Sequence, residues 1–153
     1  MTRESTIVEK EGIEMSEQNK HSAAALNVFK WMGWIFAAGI VVQVFLAGLA
    51  LFDDPETWKV HASLPRFFAF LPILMLILAI AARLPAEFRG KSLRMFIMVI
   101  LMFLTAIVTP KISGILAALH PIIALEMFRI AVLSAHKASA QAKIRQAEIS
   151  SAA

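Results

Sequence analysis

Cysteine is missing from all 153 residues. Its absence excludes disulfides, thiolate metal sites, iron–sulfur clusters and thiol catalysis. Acidic residues are few, 11 against 15 lysines and arginines, and the formal charge is +4. No phosphate-cradling glycine loop, metalloprotease histidine pair or nucleophile–base set is present, and no internal repeat. Nothing in the sequence marks an enzyme. The first apolar run follows a polar, acidic stretch, not a short basic region with a small-residue cleavage site, so no removable signal peptide is expected.

What is present in quantity is apolar sequence: mean hydropathy is +0.71. Four runs, Trp31–Phe52, Pro65–Ala82, Ser92–Thr109 and Ile112–Ala135, fill the middle of the chain. A helix needs about 20 residues to cross a hydrocarbon core of about 30 Å. The expected fold is therefore all-α: a polytopic membrane protein with an antiparallel four-helix transmembrane bundle. The expected division is a polar cytoplasmic tail over 1–29, a bundle over 30–135 and a basic cytoplasmic tail over 136–153. Within the bundle the helices are expected at about 30–52, 55–82, 92–109 and 112–135. Lys10-Glu11-Gly12 can be encoded as a ribosome-binding sequence ahead of Met15, which leaves initiation at Met15 or at Met1 open.

Orientation follows from the lysines and arginines near the span ends. Lys20, Lys30, Arg83, Arg89, Lys91, Arg94, Lys137, Lys143 and Arg145 fall on one side of a four-pass arrangement, and Lys59 and Lys111 on the other. Both termini are thus expected in the cytoplasm, across a bacterial cytoplasmic membrane. In this setting basic residues mark the inner rim, and no nucleic-acid partner is expected. The basic C-terminal tail reads as a helical extension or as a segment drawn to anionic lipid.

Helix starts, breaks and interfaces have local signatures. Asp53-Asp54-Pro55-Glu56 reads as a capped start for helix two, with an aspartate cap and proline in the first turn. Pro65 and Pro72 are then expected to kink it. A rival reading starts the helix at Pro65 and leaves His61 in a loop. Pro110-Lys111 makes a minimal hairpin between helices three and four. Gly39, Gln43 and Ala47 share a face of helix one, and Ala117, His120, Ala124 and Ala131 a stripe of helix four; such small residues let helices approach closely. Glu126 and Arg129 are spaced to pair, which lowers the cost of inserting them.

Ionisable groups inside a span are costly and mark candidate sites. At about 1.5 Å per residue, Gln43, Arg66 and His120 lie about 12–13 Å below the outer surface, and His61 about 5 Å below it. They form a polar layer in the outer half of the bundle. His61 and His120 are candidate axial ligands of a haem b, since imidazole suits iron, with Arg66 and Lys59 as partners for propionates. The same layer, with Gln43, could instead hold a quinone-like or lipid head group or relay protons. A third reading gives these groups only packing roles, with His120 bonded inside the bundle and Arg66 snorkelling outward. The lipid bilayer is the expected partner, and a membrane redox partner or a second copy of the chain are further candidates.

The run Gln43–Phe52, then Trp58-x-x-His61, then Leu119-His120-Pro121 before an apolar stretch, resembles an uncharacterised bacterial family of small four-helix integral membrane proteins, a domain of unknown function. The resemblance spans about residues 30–135. It implies the four-helix membrane fold, and the family pattern falls on Gln43, Trp58, His61, His120 and Pro121. It names no substrate, activity or partner. The leading functional expectation is a cofactor-binding redox module; the alternative is a non-catalytic accessory or assembly protein.

Overall fold

The computed structural model describes the backbone of residues 3–108 and 112–151, and side chains there from Met15 onward, Ser16 excepted. Every element is helical: α1 (Arg3–Phe52), α2 (Thr57–Ser63), a 3-10 turn (Leu64–Phe67), α3 (Leu71–Ala81), α4 (Ala86–Ile107), α5 (Gly114–Ala117) and α6 (Leu119–Ser151). Four helical stretches, Glu17–Phe52, Thr57–Ala81, Ala86–Ile107 and Gly114–Ser151, are long and apolar enough to cross a membrane.

The fold is built on the pairing of α1 with α6. With no proline before Pro55, nothing interrupts α1, and the helix starts well ahead of Trp31. Ala23, Leu26 and Phe29 are buried, followed by Phe36, Ala37 and Ile40. This stripe of three- and four-residue steps meets a matching one on α6, Ala131, Ala135, Ala138 and Ala142. Gly33 lies where a Cβ would sit 3.1 Å from Ala135 Cβ and 3.3 Å from the Ala131 carbonyl. Asn19 accepts a hydrogen bond from Arg145, and the Trp34 ring meets His136 edge-on at 5.1 Å. Residue numbers thus rise along one helix as they fall along the other. Of the segments read as terminal tails, the described side chains of 17–29 and 136–151 lie on helices, with Ala23, Leu26, Phe29, Ala138 and Ala142 buried.

Helix two differs from its expected form in an instructive way. Asp54 Oδ1 accepts from the Glu56 backbone N–H at 2.9 Å, tightening a turn, and the helix proper begins at Thr57. His61 is therefore helical, against the loop reading. The prolines divide the element instead of bending it. Pro65 opens the 3-10 turn, and its carbonyl takes the Phe68 and Ala69 N–H groups at 3.1 and 2.8 Å. Pro72 sits in the first turn of α3, where its missing N–H costs nothing. Pro121 behaves alike: the chain turns at Ala118 and restarts as α6 at Leu119. The Pro110-Lys111 hairpin lies outside the described residues.

The connection between α3 and α4 is a helix C-cap built on an arginine. Arg83 has φ 50, the left-handed region, and its N–H bonds the Ile80 carbonyl at 3.1 Å while Leu84 N–H bonds Ala79 at 2.9 Å. Glycine is the usual residue there, and the following proline, Pro85, stops the helix. Near this end Glu87 pairs with both Lys91 and Lys137. Leu84 and Phe88 are buried, and Phe88 meets Phe29 edge-on at 5.0 Å.

Candidate functional site

The four helices bring one polar group each to the end of the bundle opposite Arg83. From α1, the Gln43 carbonyl accepts a hydrogen bond from His61 Nδ1–H of α2 at 3.0 Å. From α4, Thr105 Oγ lies 3.1 Å from His120 Nδ1 of α6. Thr105 Oγ also lies 2.9 Å from the Met102 carbonyl, to which it can donate; with its proton placed there, the His120 ring is the donor of the pair. His61 then carries its proton on Nδ1, and in that arrangement of Thr105 so does His120, leaving Nε2 with its lone pair, as in metal-ligating histidines held by a second shell.

The rings face each other across the bundle. Their centroids are 6.4 Å apart and their planes inclined by 52°. The two rings thus lie close together despite the different depths inferred from the sequence. Trp58 stands edge-on to His61 at 5.2 Å. Among the described residues α2 approaches α1 and the 3-10 turn, and its backbone stays clear of α4, α5 and α6. At this level α2 and α6 are thus joined through side chains, the His61 and His120 rings. Trp58, Val60 and Leu104 are among the exposed apolar residues of these helices.

Two expected members of the polar layer sit differently. Arg66 is exposed, and its Nε donates to the Ser63 carbonyl one turn back at 2.8 Å. No contact ties it to either histidine. Gln43 takes part through its backbone; both polar atoms of its side-chain amide are buried without a hydrogen-bond partner among the described residues. Thr105 is the member that reading by motif missed. Its signal was being the one hydroxyl in the apolar interior of its helix. Ser92 and Ser134, also buried, have unpartnered hydroxyls. Among the described residues no group of three or more His, Cys, Asp or Glu side chains is placed to hold a metal ion.

A helical chain with four membrane-competent helices and a histidine pair near one end of the bundle is the class these observations define. As the resemblance implied, the chain is similar to an uncharacterised family: the model of a family of unknown function (DUF6220) matches residues 43–109. That stretch holds Gln43, Trp58, His61, Arg66 and Thr105 and ends before His120. No curated protein and no solved structure matches the chain.

Proposed function

We propose that this chain is a multi-pass protein of a bacterial cytoplasmic membrane, with both termini cytoplasmic, and that His61 and His120 would hold a haem b. The spacing of the two rings carries this reading. One metal bound through a nitrogen of each ring, at about 2.0–2.1 Å per bond, puts the ring centres roughly 6 Å apart; here they are 6.4 Å apart. Both rings have their Nδ1 atoms engaged, which fixes their tautomer and orientation. Two imidazoles with no third protein ligand are too few for an isolated ion, whereas a tetrapyrrole supplies four nitrogens of its own. Among the described residues the seam between α2 and the helices opposite has no backbone contact, so it is where a flat ligand would enter. The Gln43 amide, unpartnered among those residues, would gain from a polar neighbour there.

Bound haem would supply one-electron transfer. The chain's residues would do the rest: Gln43 and Thr105 orient the rings, and Lys59 and Arg66 meet propionates at the outer rim. Electron exchange would then require a redox partner in the membrane. The same seam, without metal, suits a quinone-like head group. The accessory reading rests on a different observation: each imidazole already has a hydrogen-bond partner inside the protein, so the pair also serves as interhelical ties.

The test is an absorption spectrum of the detergent-purified chain, as isolated and after addition of haem. A Soret band in the wild type that is lost in both His61→Ala and His120→Ala supports axial ligation. A wild type that stays colourless and does not bind added haem overturns it.

A further inference from the structure

We propose that a cleft between α1 and α6, at the Arg83 end of the bundle, binds the phosphate of an anionic phospholipid. Both helices build it: Asn27 and Lys30 come from α1, and Ser139, Ala142, Lys143 and Gln146 from α6. Its volume is about 200 Å³, and no carboxylate lines it. The antiparallel pairing explains why the two lysines converge. Side chains on a helix lean toward its N-terminus, so Lys30 leans away from the apolar run and Lys143 leans back toward it. Lys30 Nζ donates to Asn27 Oδ1 at 3.2 Å, which occupies the amide oxygen and leaves the Asn27 NH2 group to donate outward.

The charge of this cleft is unbalanced. Lys20 pairs with Glu17, Lys59 with Glu56, and Lys91 and Lys137 with Glu87. The remaining described lysines, Lys30 and Lys143, have no carboxylate partner among the described residues, and both line the cleft. Two ammonium groups, two amides and a hydroxyl are a donor-rich lining suited to phosphate oxygens. Its level points to a lipid as the source. Lys30 directly precedes Trp31, where the apolar run begins, and its Nζ lies 4.9 Å from the centre of that ring. The next turn of each helix toward the bundle carries Trp34 and His136, which meet edge-on. Tryptophan collects at the headgroup level. Lys30 lies about 6 Å of helix beyond Trp34, and Ser139 about 4.5 Å beyond His136, within a headgroup layer about 5–8 Å thick. A zwitterionic lipid brings its own cation and gains less from the unpaired lysines.

Native mass spectrometry of the full chain in detergent tests this, with phosphatidylglycerol and phosphatidylcholine of identical acyl chains offered together. The expected preference for phosphatidylglycerol is roughly twenty-five-fold, about five-fold for each lysine. It should fall to about five-fold in Lys30→Gln and in Lys143→Gln, and approach parity when both are changed. It should be kept in Arg89→Gln, which removes an exposed cation near the same end of the bundle but outside the cleft. Equal binding of the two lipids by the wild type overturns the proposal and needs no variant to fold. A preference that survives loss of both lysines overturns it too, as does one lowered equally by Arg89→Gln. Displacement of phosphatidylglycerol by an equal concentration of inorganic phosphate would mark a site for free phosphate and also overturn it. The inference rests on the chain spanning a membrane and is independent of haem, since the cleft and the histidine pair share no residue.

Discussion

The Gln43 carbonyl holds the His61 ring at 3.0 Å, while the amide of the same residue is buried with both polar atoms unpartnered. One residue thus supplies the tie between two helices and an unsatisfied polar group beside it. The two roles separate on mutation. Gln43→Leu keeps the carbonyl and removes the amide, whose burial costs about 1–3 kcal/mol. The ligand-free protein should melt at a higher temperature as Gln43→Leu, and should bind added haem less tightly. A lower melting temperature in the absence of ligand would show that the amide is satisfied.

Close approach makes two glycines intolerant. A Cβ on Gly39 would lie 2.9 Å from the Phe68 ring, and one on Gly33 would press on the Ala131 carbonyl and the Ala135 methyl. Gly39→Ala and Gly33→Ala should each destabilise by about 1–3 kcal/mol, the usual cost of overpacking. Gly48 has open space around its Cβ position, and Gly48→Ala should be the neutral control. Thermal unfolding in detergent, followed by circular dichroism, compares the three.

The C-cap at Arg83 points the other way. An L-residue in the left-handed region costs about 1–2 kcal/mol relative to glycine. Arg83→Gly should raise the melting temperature, although it removes a charge. A fall would mean that the arginine side chain contributes more than its backbone costs.

Helix packing beyond the apolar run is testable at Phe29, fully buried against Phe88. Phe29→Ala should cost about 3–5 kcal/mol, as expected of a core aromatic, and should speed proteolysis of the segments around residues 17–30 and 134–151. If those segments were loose tails, the substitution would leave both readouts unchanged.

The four spans were legible because leucine, isoleucine, valine and phenylalanine run through them almost unbroken. The C-terminal extension of the last helix was among the readings offered, but the packing of the N-terminal segment was not legible, because its face is Ala23, Leu26 and Phe29 set among polar residues, a pattern that an average over hydropathy dilutes. Pro65 and Pro72 were recognised as perturbing, yet a proline marks a kink and a fresh start with the same letter. Only the hydrogen bonds to Pro65 and the turn at Ala118 tell the two apart. His61 and His120 were found because imidazoles are rare in apolar spans. Arg66 was misplaced because depth along a helix fixes height and leaves azimuth free. Thr105 was passed over because a hydroxyl that bonds its own helix carries no sign of a second neighbour.

The 3-10 turn between α2 and α3 has a mechanical consequence. It breaks the rod at mid-length, so the seven residues Thr57–Ser63 lean on α1 while the lower half of the same span is clamped by α4. Displacing that short segment alone would part the His61 ring from His120 and leave the packing of α3 on α4 in place.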